Sequence, residues 1–241
     1  VWVANLAALE LHTSLSRAPK LDRPTALVFD LDPGPPADIV LCCQVALWLR
    51  DIFSSFGLQA FPKTSGSKGM QLYVPLNTAV DYETTKTAAL GLAQRLEREH
   101  PDTVVHMMEK ARRGGKVFID WSQNDEHKTT INVYSLRARP RPTVSTPLMW
   151  EEVAGCWKAK DAALLVFEAE DVLERVSRSG DLFEPVLKLK QKVPEELLQG
   201  VASPEMDPAQ RKASWARRRE LEKERADKKS QRTSERGVQP A

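Results

Sequence analysis

The run Leu27-Val28-Phe29-Asp30-Leu31-Asp32-Pro33-Gly34 constrains this chain more than any other stretch. Apolar residues lead into two carboxylates placed two positions apart, and Pro33-Gly34-Pro35-Pro36 then breaks the run. In a strand, residues i and i+2 share a face. Asp30 and Asp32 therefore project together from one side of a sheet, where they repel unless a cation lies between them. Such a pair is costly for a fold and natural for a site holding Mg²⁺ or Mn²⁺, which prefer oxygen ligands. The alternative is an acidic strand end facing water.

The elements around this strand alternate. Val1 to Leu11 reads as a short helix or turn, Pro19 to Pro24 as a connector, and Thr25 to Leu31 as the strand. Ala37 to Phe56 has helical periodicity, with Asp38 near its start and Gly57 past its end. Gln59 to Lys63 and Met70 to Pro75 read as strands flanking a Ser/Gly loop, and Tyr82 to His100 as a second amphipathic helix. Short strands are expected at Thr103 to Val105, Lys116 to Asp120 and Thr129 to Tyr134. This order points to an α+β sheet with helices packed on one face. Glu151 to Cys156 and Glu170 to Ser177 add helices, and Asp181 to Phe183 a turn.

Composition sets the boundaries. A chain of 241 residues, 41% hydrophobic and 28% charged, suits one large domain, or one domain with an appendage. From Ser203 onward, 11 Lys/Arg face 7 Asp/Glu, so this part carries +4 of a total of +2 and the preceding part −2. The expected division is a domain over 1–200 and a basic, charged, helical or disordered tail over 201–241, with a solvated helix at Arg217 to Arg225. Overall charge is a weak argument for a nucleic-acid partner, so local patches must carry it. Cys42, Cys43 and Cys156 have no metal-ligand spacing and read as free thiols in a reducing cytosol. No apolar run reaches the roughly 18 residues of a membrane span. The six tryptophans read as core. The chain opens at Val1-Trp2-Val3-Ala4, inside a patterned segment and without an initiator Met, so a trimmed or fragmentary chain is expected.

Three further constellations carry chemistry. Lys63-Thr64-Ser65-Gly66-Ser67-Lys68-Gly69 lets backbone N–H groups approach an anion, with Lys68 adding a point charge; otherwise it is a polar hairpin loop. It lacks the glycine spacing of a Walker A loop. Arg112 to Asn124 is a basic turn entering a strand that ends on Asp120. Asp120 is either a third metal ligand or the cap of the next turn. Arg137, Arg139 and Arg141 alternate along an extended segment, as suits polyphosphate or DNA backbone, or simply form a solvated edge. His12 stands alone, and no histidine pair has zinc spacing.

In combination these blocks resemble the polymerase domain of the bacterial ATP-dependent DNA ligase D, of the archaeo-eukaryotic primase superfamily. The resemblance rests on Ala4-Asn5-Leu6, Glu10-Leu11-His12, Phe29 to Pro33, Thr64 to Gly69, Lys116 to Asn124, Lys128-Thr129-Thr130 and Tyr134 to Arg137, and runs from about Val3 to Phe183. It implies a primase-like (RRM-like) mixed or antiparallel sheet with flanking helices. That family carries a segment upstream of the residues matching Val1, so the N-terminal part is expected to be missing.

The resemblance further implies Asp30, Asp32 and Asp120 as catalytic metal ligands for Mn²⁺ or Mg²⁺. His12, Ser65, Lys68, Gln123 and Arg137 match nucleotide-binding positions, and Arg113 and Lys116 DNA-binding ones. The implied activity is template-dependent addition of ribo- or deoxyribonucleotides to DNA 3′ ends or gaps in non-homologous end joining. Nucleoside triphosphates are the co-substrate, Ku and a DNA ligase the partners, and the bacterial cytoplasm and nucleoid the location. The rival readings are a primase-type enzyme starting chains de novo and a catalytically weak DNA-end-binding module.

Overall fold

Eight residues, Ala26–Pro33 (β4), run through the centre of a five-stranded sheet. In the computed structural model residues 5–199 are described; the expected tail over 201–241 and its Arg217 to Arg225 helix lie outside the described residues. Before β4 come His12–Thr13 (β1), Ser16–Arg17 (β2) and Lys20–Pro24 (β3). After it come Phe61–Thr64 (β5), Met70–Pro75 (β6), Val104–Val105 (β7), Val117–Asp120 (β8) and Thr130–Ile131 (β9). β4 pairs antiparallel with β6 and with β8; β5 joins β6 antiparallel and β7 joins β8 in parallel. The order is β5-β6-β4-β8-β7: the α+β sheet that the alternation of elements implied, with the mixed pairing among those the resemblance implied.

Two helices cover one face. Ile39–Ser55 (α1) starts at Asp38, whose carboxylate accepts the Val40 N–H at 2.9 Å. Tyr82–Glu99 (α2) starts at Asp81, which accepts the Thr84 N–H at 2.8 Å. Alternation along β4 sorts its side chains. Leu27, Phe29 and Leu31 enter the main core with Val45, Ala46, Leu49, Phe53, Leu92 and Leu96 of the helices. Val28 faces the other way, into a smaller cluster with Leu15, Tyr73, Phe183 and Val186. That cluster closes one half of the second face, and Asp30 and Asp32 lie on the other half. Helices Trp150–Ala159 (α3) and Ala169–Ser179 (α4) follow, α3 packing on α1. Among the described residues no helix is long and apolar enough to cross a membrane. The three cysteines are free and buried.

Three expectations change. The connector over Pro19 to Pro24 contains β3, which pairs with β2. The strand over Thr129 to Tyr134 shrinks to Thr130–Ile131, paired with β1, because the chain turns at Tyr134, where φ is +63°. Trp48, Trp121, Trp150 and Trp157 lie at the rim of the core, partly buried. Their indoles need polar partners: Trp121 donates to His106 O and Trp150 to Ala60 O.

The Pro-Gly break after β4 has a steric reason. Gly34 N donates to Lys116 O at 2.8 Å, and a Cβ on Gly34 would stand 1.9 Å from Arg113 O. Gly34→Ala is therefore expected to cost about 2–4 kcal/mol in chemical denaturation. Gly155→Ala, in helix α3 with nothing within 4 Å, is the control and is expected to stabilise by about 0.5–1 kcal/mol.

Candidate active site

The register of the sheet builds a row of polar side chains across four strands. Asp120 on β8 pairs with Asp30 on β4, Asp30 with Gln71 on β6, and Gln71 with Lys63 on β5. Directly opposed residues of antiparallel strands share a face, with Cα atoms about 4.5–5.5 Å apart. Asp32 lies one step along the same face, opposite Phe118. β8 stops at Asp120, and the buried Asn124 then takes over as partner of β4. Its amide accepts from Val28 N at 2.9 Å and donates to Val28 O at 2.7 Å. The sheet ladder therefore ends where the three carboxylates begin.

Burial, and then the neighbouring Asp32, push the Asp30 carboxyl up to about 7, while a hydrogen bond from Gln71 and the charge of Lys63 oppose the shift. Burial also raises Asp32, against the pull of Lys68 and Arg113. No ion pair among the described residues includes Asp30, Asp32 or Asp120. These are hard oxygen donors whose shared negative charge is poorly compensated, and that chemistry fits a divalent cation.

Asp120 is also tied to its own turn. It accepts from Ser122 N at 3.0 Å, from Ser122 Oγ at 2.5 Å and from Gln123 Nε2 at 3.3 Å. Asp120 therefore caps the turn, and it also sits on the carboxylate row, opposite Asp30. Among the described residues, no three His, Cys, Asp or Glu side chains already converge as a ligand set.

The Ser/Gly loop between β5 and β6 lies tight against these carboxylates. Ser65 closes it, donating its N–H to Gly69 O at 2.9 Å and accepting from Gly69 N and Ser67 N on Oγ. Gly69 has no room for a side chain: a Cβ there would stand 2.3 Å from Leu31 O, between the two aspartates. Gly66 has φ +66°, and a Cβ would meet Ser145 N at 2.7 Å. The exposed Lys68 is thereby delivered to the Asp32 end, its ammonium 3.5 Å from Pro33 O.

A bracket joins this loop to the distant arginines. Arg137 donates to Ser65 O and to Glu10 Oε1, both at 3.1 Å. Glu10 also accepts the Ala138 N–H at 2.9 Å and faces His12 Nε2 at 3.1 Å. The Ala138 N–H, then His12, with Arg137 adding, hold the Glu10 carboxyl down at about 2. His12, Arg137 and the Ser65 loop therefore form one assembly. The alternating arginines do not act as one stripe: Arg139 donates to Ser67 Oγ, but Arg141 turns to Glu168 before α4.

The remaining sequence candidates divide. Arg113 stacks over the Phe118 ring at 3.6 Å and donates to Met108 O at 2.7 Å, which sets it beside Asp32. Gln123 donates to Asp120 and keeps a buried Oε1 with no partner among the described residues. Lys116 donates instead to Pro101 O at 2.6 Å, in the loop after α2, and is not brought to the row.

Glu10, Lys63 and Gln71 were not singled out from the sequence as site residues. Gln71 had a weak signal as the one polar residue in the run Met70-Gln71-Leu72-Tyr73-Val74. Lys63 stands two residues from Phe61, on the same face of β5.

Comparison with known proteins shows the family. The family described as LigD, primase-polymerase domain, matches residues 1–183. The multifunctional non-homologous end joining protein LigD of Mycobacterium bovis is 43% identical over 195 residues, covering 76% of this chain and 24% of that protein. The bifunctional non-homologous end joining protein LigD of Bacillus subtilis is 33% identical over 181 residues, covering 75% and 29%. The chain thus spans about a quarter of the length of these relatives. A solved structure of the polymerase domain from Mycobacterium tuberculosis ligase D in complex with DNA superposes with a TM-score of 0.70 at 41% identity, covering 79% of this chain and 67% of that one. The chain belongs to the LigD primase-polymerase domain family.

Proposed function

We propose that this chain is a nucleotidyltransferase that adds ribo- or deoxyribonucleotides to DNA 3′ ends, under template instruction, in the end-joining repair of double-strand breaks. One observation carries this reading above the rest: a poorly compensated carboxylate row lies against a Ser-Gly-Lys loop and an arginine bracket, within this family's domain. The structural neighbour bound to DNA and the end-joining relatives support the substrate class. Residues 1–200 are the catalytic domain on this reading. Its partners are gapped or broken DNA, nucleoside triphosphates, Ku and a ligase, in the bacterial cytoplasm.

Asp30, Asp32 and Asp120 would hold Mn²⁺ or Mg²⁺, which supplies Lewis-acid stabilisation of phosphoryl oxygens and lowers the pKa of an attacking hydroxyl. The chain's own groups do the rest. Lys68 at the Asp32 end and Arg137 at the loop neutralise the triphosphate, and His12 extends that positive side. The Ser65 loop fixes where this charge stands. Gln123 holds the Asp120 carboxylate by its amide. Arg113 offers a guanidinium to the DNA backbone next to the carboxylates.

The test is single-nucleotide addition to a gapped duplex in Mn²⁺, set beside synthesis on unprimed single strands. Addition at the gap is expected; synthesis only on unprimed strands would make the enzyme a primase, and DNA binding without addition would make it an end-binding module. Arg137→Lys keeps the charge but loses the planar fork that spans Ser65 O and Glu10. Its nucleotide KM is expected to rise roughly tenfold with a smaller change in kcat, read from steady-state kinetics.

A further inference from the structure

Lys128 reaches from the approach to β9 back to the turn that carries Asp120. Its ammonium donates to Ser122 Oγ, and Ser122 Oγ donates to Asp120 Oδ1 at 2.5 Å. The direction of both bonds is forced: an ammonium can only donate, a carboxylate can only accept, and a hydroxyl has one proton to give. Ser122 is 3% exposed, so water has little access to compete for that hydroxyl. Asp120 Oδ1 accepts a second bond, from Ser122 N at 3.0 Å. Oδ2 accepts a long one, from Gln123 Nε2 at 3.3 Å. One oxygen of Asp120 is therefore held by its own turn, and the other keeps lone pairs for a ligand.

We propose that Lys128 is a positioning residue for Asp120, acting through Ser122: the ammonium turns the Ser122 hydroxyl toward Asp120, the hydroxyl holds Oδ1, and Oδ2 is left to the divalent cation. The inference rests on the reading of Asp120 as a metal ligand. Two features of the structure favour it. Among the described residues Lys128 is in no ion pair, with Asp120 or any other carboxylate. A direct pair would cover a carboxylate oxygen and compete with a cation, whereas the hydroxyl between them transmits direction and leaves the second oxygen open. The backbone that carries Lys128 is also anchored. Lys128 N donates to Asp125 O at 3.1 Å, and the Asp125 carboxylate accepts from His127 N at 3.1 Å and from Lys86 Nζ of α2 at 2.5 Å. The arrangement matches the outer groups that orient metal-binding carboxylates in metalloenzymes.

The test is Mn²⁺ binding to the intact chain, read by electron paramagnetic resonance, for the parent, Ser122→Ala, Lys128→Met, the double variant and Asp120→Asn. Ser122→Ala removes the hydroxyl and keeps the backbone N–H on Asp120; its Mn²⁺ affinity is expected to fall about tenfold. Lys128→Met is expected to lower it about fivefold, and the double variant to lose no more than Ser122→Ala alone, since the lysine acts through the serine. A merely structural role would lower the melting temperatures and leave the Mn²⁺ affinity of the folded variants unchanged. A lysine that acted only as a nearby positive charge would give the opposite sign, because its removal would tighten cation binding. Lys128→Met binding Mn²⁺ within twofold of the parent, or more tightly, while Asp120→Asn has lost affinity, would overturn the relay and leave the metal site standing. So would a double variant whose loss is the product of the two single losses. If Ser122→Ala does not fold, Lys128→Met decides alone. Asp120→Asn binding as tightly as the parent would overturn the reading of Asp120 as a ligand, and the relay with it.

Discussion

Asp30→Ala and Asp32→Ala are each expected to lower Mn²⁺-dependent nucleotide addition by on the order of 10³-fold or more, with the fold intact. The magnitude follows from the layout of the site. The two carboxylates share one face at the end of the ladder, and among the described residues no lysine or arginine forms an ion pair with either. A cation there has few other protein ligands to fall back on, so each loss removes a large part of the donor set. Loss of several kcal/mol of charge stabilisation corresponds to about three decades in rate. Addition that continues unchanged in both variants, measured in single turnover, would show that the metal is held elsewhere. The effect of Asp120→Ala is expected to be as large on addition but to include a stability cost, because Asp120 also caps the turn through Ser122.

The same carboxylates make the metal-free chain unusually sensitive to pH. Asp30 is raised from 3.8 to about 7 in the folded state. The folded chain therefore holds that proton more tightly than the unfolded chain does, so stability is fully present below about 4 and is lost as pH rises through 7. At about 1.4 kcal/mol per unit the upper bound is about 4 kcal/mol, and roughly 2–3 kcal/mol is expected once relaxation is allowed for. Burial lowers Lys63 from 10.5 to about 7, which has the opposite sign in a higher window: stability recovers as pH rises from 7 toward 10.

Glu10, held at about 2, contributes stability above about 4.5 that is lost only as pH falls toward 2. Urea unfolding in chelator is thus expected to show a minimum near pH 7. Asp30→Asn is expected to flatten the limb between 4.5 and 7, and Mn²⁺ to restore stability at pH 7 in the parent but not in the variant. A stability that rises steadily from pH 5 to 7 in the metal-free parent would contradict this electrostatic picture.

Much of the frame was legible in the sequence because it depends on local signals. The alternation of β4, the Pro-Gly break after it, the Asp38 cap and the left-handed Gly57 are all set by neighbouring residues. Asp30 and Asp32 were legible for the same reason, since a two-residue period puts them on one face. Their partners were not. That Gln71 and Lys63 join the row depends on the register of β5, β6 and β4, which the wider fold decides. The Glu10 bracket closes across 127 residues, with no local trace beyond a charged residue near a histidine. Lys116, just before β8, follows a basic turn, and nothing local in the sequence marks Pro101 O as the partner of its ammonium. The two-residue strands β1 and β9 exist only because they pair with each other.

The central claim is that the carboxylates on the free half of the sheet hold the divalent ion that acts on the triphosphate. Anomalous diffraction from crystals soaked with Mn²⁺ and a nucleoside triphosphate tests it most directly. The expected result is a manganese peak bound by Asp30 and Asp32, with the phosphates running toward Lys68 and Arg137. Manganese bound away from both aspartates, or phosphates seated without contact to the Ser65–Lys68 loop, would contradict it.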